Sequence, residues 1–279
     1  MKKIGFVDYY LWNFHANTYP EMIKKYSDGE MEVAYCYGTA ANPLNPEQTS
    51  EAWAETNGVE MLSSIEEVVE KSDYIIVLSP NNPEQHRALC EIPLKSGKPV
   101  YIDKTFAPDA ETAKEIFAIA DAHGTPCYSS SALFFADELK DLQKENVEYM
   151  TSFGSGGYET HSIHQIEQVV TFMGRDAESV MYTGTEKFPS FKVRFAGDRY
   201  ADIIMMPGRF RMHVGYGDGK AVDYTVDSPI FDRLVENMVK FFRTTEIPVP
   251  HAQTVEVIAI REASIRAKET PFVWVDIQK

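Results

Sequence analysis

The first half of the chain alternates short apolar runs with amphipathic stretches. Ile4–Val7, Glu32–Tyr37, Tyr74–Leu78, Val100–Ile102 and Pro126–Tyr128 are compact runs of strand length. The stretches between them carry helical spacing. Met22, Ile23 and Tyr26 share one face, and Ser64 with Glu67 forms a capping box ahead of Ile65, Val68 and Val69. A helix is predicted over 86–94. Asp109 caps a further helix with Ala113, Ile116, Phe117 and Ala120 on one side, ended by Gly124. Strand and helix in strict alternation predict an α/β, doubly wound parallel sheet with helices on both faces.

The second half changes pattern. After a helix-like stretch, Ala136–Lys144, come strand candidates with few helices between them: Tyr149–Phe153, Val180–Thr185, Phe191–Phe195, Tyr200–Met206, Phe210–Tyr216 and Ala221–Val226. Gly217-Asp218-Gly219 signals a hairpin between the last two. Helical periodicity returns over His161–Met173, after Ser228-Pro229, and after Pro250. An α+β unit with a mixed, largely antiparallel sheet is expected. The change of pattern places a boundary at residue 128, giving a Rossmann-like domain over 1–128 and a substrate and oligomerisation domain over 129–279.

Composition narrows the function classes. A chain of 279 residues can bury about 75% of its extended surface, so the core needs no staples. The formal charge of −15 opposes a nucleic-acid backbone as partner. No apolar run reaches membrane-spanning length. The run after Met1-Lys2-Lys3 is cut off by Asp8, too early for a secretion signal. Cys36, Cys90 and Cys127 lack paired spacing and read as free thiols inside apolar elements. A cytoplasmic enzyme acting on a small molecule is expected.

Ligands of an open parallel sheet lie outside the carboxyl ends of its strands. Two strands end here in Ser79-Pro80-Asn81-Asn82 and Asp103-Lys104-Thr105, which is expected to bring His86 and Lys104 to one crevice. Four segments then resemble the Gfo/Idh/MocA family, the relatives of glucose-fructose oxidoreductase and inositol dehydrogenase. They are Ser79-Pro80-Asn81 followed by His86; Ser96-Gly97-Lys98-Pro99-Val100 with Asp103-Lys104-Thr105; His164-Gln165-Ile166-Glu167 with the later Gly174; and the tail Phe231–Ile277. The resemblance implies hydride transfer between NAD or NADP and a sugar or polyol, in a homo-oligomer (dimer or tetramer). It assigns Lys104 and His164 to catalysis at the substrate hydroxyl. Glu167, Thr160 and His161 fall on the substrate side. Ser79, Asn81, His86, Asp103, Tyr10 and Tyr37 fall on the cofactor side. The chemistry is coherent, since a near-neutral imidazole can accept a hydroxyl proton while an ammonium favours the developing alkoxide.

The sequence also departs from the family. No glycine lies between Gly5 and Gly29, where G-x-G-x-x-G is usual; Asp8-Tyr9-Tyr10-Leu11-Trp12-Asn13-Phe14-His15 stands there instead. Asp8 is expected to bring negative charge to the pyrophosphate position. Tyr37 occupies the place of the ribose-binding acid, Thr105 that of a proline, Asp103 and Glu167 those of Glu and Asp, and Thr160 that of an Asp. The rings of the turn read as a hydrophobic plug or as a stacking platform. His161, His164 and Glu167 make a tilted helical stripe of a type that can hold zinc, manganese or iron(II). The spacing is no zincin pattern, and no metal is expected. The competing functions are a non-redox lyase or isomerase of a sugar derivative, and a non-catalytic ligand-binding or assembly protein.

Overall fold

The computed structural model describes residues 1–279. In chain order the strands are β1 (Lys2–Asp8), β2 (Met31–Gly38), β3 (Glu60–Met61), β4 (Tyr74–Val77), β5 (Val100–Ile102), β6 (Cys127–Tyr128), β7 (Val147–Gly154), β8 (Ala177–Tyr182), β9 (Ser190–Phe195), β10 (Arg199–Met205), β11 (Arg211–Tyr216), β12 (Ala221–Thr225) and β13 (Trp274–Asp276). The helices are α1 (Phe14–Tyr26), α2 (Ser50–Asn57), α3 (Ile65–Lys71), α4 (His86–Cys90), α5 (Ala110–His123), α6 (Tyr158–Met173), α7 (Ile230–Thr244) and α8 (His251–Ala267). Two compact units divide the chain. The first holds Met1–Ala107, Lys114–Ser130 and Leu234–Pro250; the second holds Pro108–Ala113, Ser131–Arg233 and His251–Lys279.

The first unit is built on a six-stranded sheet of order β3-β2-β1-β4-β5-β6, parallel throughout. The doubly wound sheet expected from the alternating pattern is therefore present. Its central strands are apolar without a break because helices cover both faces: Ile4, Phe6, Val7, Ile75, Ile76 and Val77 are wholly buried. The chain winds outward from β1 to β3, then returns to β4, so the switch point lies between β1 and β4. At Gly5 the end of α3 lies close against β1. A Cβ there would lie 2.3 Å from Ser72 Oγ and 2.4 Å from Val68 Cγ1. Gly5→Ala is expected to cost about 1–3 kcal/mol by overpacking, read as a lowered denaturant midpoint at unchanged slope.

Most of α7 belongs to this unit. Its amphipathic face sets the Phe242 ring flat on Tyr74 at 4.8 Å and the Phe241 ring edge-on to Tyr128 at 4.8 Å. Arg243 at its end donates to the carbonyl of Ser27 at 3.1 Å.

The second unit carries a seven-stranded sheet of order β12-β11-β7-β10-β9-β8-β13. Only β7 and β10 pair in parallel. This is the mixed, largely antiparallel sheet expected, with the predicted hairpin joining β11 to β12. Helix α6 is fastened to one face. Gln165 Nε2 donates to the carbonyls of Ser152 and Ile204, and Ser152 Oγ donates to Gln168 Oε1.

Two expected helices are corrected. Over 136–144 there is only a 3₁₀ turn, Asp137–Leu139, after an Ala136 outside helical geometry. The acidic side chains serve tertiary partners instead: Asp137 pairs with Arg233, and Glu138 accepts the N–H groups of Asp227 and Ser228. The 86–94 helix stops at Cys90, and a separate 3₁₀ turn begins at Pro93, which has no N–H to continue the ladder. Helix α2 and strand β3 have no counterpart in the sequence expectations. Each is short, and α2 buries only Ser50, Trp53 and Ala54.

Candidate functional site

At the carboxyl end of the first unit's sheet, β1 delivers Asp8, β4 leads to Ser79, and β5 leads to Asp103 and Lys104. Asp103 is wholly buried. One of its oxygens, Oδ1, accepts the Lys104 backbone N–H at 2.8 Å and the Tyr101 hydroxyl at 3.4 Å. The other, Oδ2, meets Nδ1 of His15, which the first turn of α1 places there. Burial alone would push the Asp103 pKa up. The charge of His15 and its hydrogen bond, with the Lys104 ammonium behind them, outweigh it and hold the carboxyl below its ordinary range.

Lys104 is 7% exposed. Its Nζ donates to the Pro80 carbonyl at 3.3 Å, and the Lys104–Thr105 peptide is cis. Burial pushes its pKa down while the Asp103 charge pulls it up. A partly desolvated ammonium of this kind is common at functional sites.

Asp8 corrects an expectation. Its Oδ2 accepts from Asn13 Nδ2 at 2.8 Å, and Oδ1 has no hydrogen-bond partner. Burial, opposed by Asn13 and backbone N–H groups, raises its pKa well above the usual carboxylate value. Burial therefore works against a full negative charge at the turn. A carboxyl raised in the folded state contributes stability below its unfolded pKa and loses it as pH rises towards the folded one. Asp8→Asn is thus expected to stabilise the protein increasingly above about pH 4. The gain should grow by about 1.4 kcal/mol for each pH unit over which folded Asp8 keeps a proton that the unfolded chain has lost. Denaturant melts of both proteins from pH 4 to 8 check this; parallel stability curves would contradict it.

His86 is also not where it was expected. Its ring is fully buried, with Nδ1 3.0 Å from the carbonyl of Phe106 and Nε2 against that of Leu78. Helix α4 begins at His86 itself, which turns the ring under the β4–α4 connection rather than into the crevice. Burial lowers its pKa despite those carbonyls. It ties two loops together. Ser79 is buried with φ +88, uncommon for a residue with a side chain, and its hydroxyl donates to the carbonyl of Asn82. Asn81 is exposed beside it.

The β1–α1 turn is closed by its own side chains. Asn13 caps α1 by accepting the Ala16 N–H. Leu11 is wholly buried and Trp12 donates to the Thr49 carbonyl at 2.8 Å, while Tyr9 and Tyr10 meet edge to face. Thr39 and Ala40 donate backbone N–H groups to the carbonyls of Asp8 and Tyr9. The plug reading of this turn describes Leu11 and Trp12, whereas Phe14 remains 66% exposed.

In the second unit α6 presents Thr160, His161 and His164, all partly exposed, and Glu167, which is buried. Nδ1 of His161 accepts the Gly157 N–H at 3.2 Å and lies 2.8 Å from the Thr160 hydroxyl. The His164 ring lies 5.9 Å from that of His161 and 6.0 Å from that of Phe210. Glu167 accepts the Ser131 N–H at 2.6 Å and thereby anchors the chain entering the turn Ala132–Phe135. No three His, Cys, Asp or Glu side chains converge as a metal-holding group, so the helical stripe is not drawn together. The buried thiols of Cys36 and Cys127 are each pushed up to about 12, which suits unreactive core residues.

A nicotinamide dinucleotide is implied by this fold, and the start of α1 is the feature here that fits its charged centre. The α1 N-terminus lies at the end of β1 by the switch point, the usual pyrophosphate position. At the β2 end Tyr37 and Gly38 replace the ribose-binding acid, and a Cβ on Gly38 would lie 2.2 Å from Ser50 Oγ. That end is closed by packing rather than set out as a carboxylate. Sequence reading overlooked His15, whose only local signal is a histidine in the first turn after a helix cap.

Residues 41–130 match the sequence model of a family described as oxidoreductases with an NAD-binding Rossmann fold. No curated protein matches the sequence. Among solved structures, GenD2 from gentamicin A biosynthesis, in complex with NAD, is 12% identical, with a TM-score of 0.79 over 100% of this chain and 97% of that one. The myo-inositol 2-dehydrogenase of Lactobacillus plantarum is 15% identical, with a TM-score of 0.76 over 99% of each chain. The WlbA dehydrogenase of Bordetella pertussis, in complex with NADH and UDP-GlcNAcA, is 13% identical, with a TM-score of 0.71 over 99% of each. At these identities the likeness is one of fold. No helix is long and apolar enough to cross a membrane.

Proposed function

We propose, from the match of residues 41–130 to the Gfo/Idh/MocA oxidoreductase model and from the shared fold, that the chain oxidises or reduces a hydroxyl-bearing carbon of a sugar or polyol. The observation that carries this is Lys104. A lysine at the end of a central strand is nearly buried, placed by an ionised aspartate, and lowered in pKa by its surroundings. NAD or NADP, when bound, supplies the hydride acceptor or donor. The chain's own residues handle the hydroxyl. The Lys104 ammonium donates a hydrogen bond to the substrate oxygen and favours the alkoxide that develops as its proton leaves. The family resemblance assigns His164 the role of proton acceptor and puts Thr160 and His161 on the substrate side. Asp103 keeps the lysine charged.

Titration with NADH and NADPH, followed by nicotinamide fluorescence or calorimetry, tests the reading. One of the two is expected to bind below millimolar concentration. Binding of neither would remove the redox reading. The lyase or isomerase reading would then stand, and the closed aromatic turn at Leu11 and Trp12 is the feature that favours it.

A further inference from the structure

The first turn of α1 makes a contact that hydride transfer does not itself call for. His15 reaches from α1 to Asp103 at the end of β5, and its side chain is 11% exposed. The other Asp103 oxygen holds the Lys104 backbone N–H. We infer that His15 is a positioning residue: by fixing one oxygen of Asp103 it fixes the other, and so sets the conformation and charge of Lys104.

The groups facing Asp103 make this specific. Tyr101 donates to it from β5, His15 comes from α1 with the Tyr19 hydroxyl 3.4 Å from its Nδ1, and Lys104 follows in sequence. His86 on α4 and Asp8 on β1 are the other titratable groups that face it. Of these, His86 is turned to two backbone carbonyls and Asp8 is occupied by Asn13. His15 is thus the side chain through which α1 controls the carboxylate. A buried carboxylate that loses its chief partner takes up a proton more readily. The Lys104 ammonium then loses its nearest support and gives up its own proton at lower pH.

This inference rests on the proposed function only where it speaks of turnover, so the test reads Lys104 directly. The ligand-free protein is labelled with an amine-acylating reagent across pH 6 to 10, and Lys104 modification is followed by mass spectrometry. In His15→Phe, which keeps an aromatic ring and removes both ring nitrogens, Lys104 is expected to label about tenfold faster at pH 8, a one-unit fall in midpoint. His15→Asn, with an amide N–H near the Nδ1 position and no charge, is expected to give a profile between the wild type and His15→Phe. A folded His15→Phe with an unchanged Lys104 midpoint would overturn the inference. Should His15→Phe not fold, nitrogen-15 histidine spectra of the wild type decide: a His15 carrying its proton on Nδ1 supports the contact, and one protonated only on Nε2 overturns it. If labelling shifts as expected but Lys104 proves dispensable for turnover, the proposed function fails and the positioning stands.

Discussion

Lys104→Met is expected to lower turnover by about 100-fold to 10,000-fold while leaving nicotinamide affinity nearly unchanged. The side chain lost is the one assigned to the substrate hydroxyl, and methionine fills much the same volume. The same substitution is expected to make the protein more stable near neutral pH. The folded-state pKa of Lys104 lies below its unfolded value. Folding therefore carries a cost at pH values below that depressed pKa, which fades as pH rises through the interval between the two. Methionine removes that cost. A gain in melting temperature together with a loss of kcat is the pattern of a residue kept for chemistry against stability. Intact turnover in Lys104→Met would remove the lysine from the reaction. A loss confined to nicotinamide affinity would move its role to the cofactor.

Phe241→Ala is expected to cost about 3–5 kcal/mol, the range for emptying a buried aromatic site. Phe241 is 1% exposed and meets Tyr128 edge to face, while its neighbour Phe242 lies flat on Tyr74. The loss should be local to the first unit. Hydrogen exchange is expected to quicken in β4, β5 and β6 and to stay unchanged in β9 and β10. Equal acceleration in β9 and β10 would show that α7 does not stabilise the first unit in particular.

The Asp8 result shows why a charge read from sequence can mislead. An aspartate at a strand end reads as an anion, because sequence supplies the titratable group and not its dielectric. Burial works against that inference, although the Asn13 contact favours the charged form. His86 follows the same logic. Its place near a helix start pointed to a crevice, and helix phase turned it inward onto the carbonyls of Leu78 and Phe106.

What the sequence determined by itself was periodic or motif-bound. The apolar runs of β1, β4 and β5 needed no partner to be legible, because a strand covered on both faces is apolar throughout its buried run. The alternating strands of the second sheet and the hairpin at Gly217–Gly219 were legible for the matching reason, one face covered and a turn residue where φ is positive. The lysine of the strand-end motif and the histidine of α6 were named from their motifs. Only the tertiary structure decided the rest. It assigned α7 to the first unit, since an amphipathic face does not say what covers it. It replaced the expected 136–144 helix with a single turn, because Arg233 and Ser228 claim its acids from far along the chain. It joined His15 to Asp103 across a sequence separation of 88 residues. Such contacts depend on where two strand ends and a helix start are brought by the sheet order, and no local pattern carries that information.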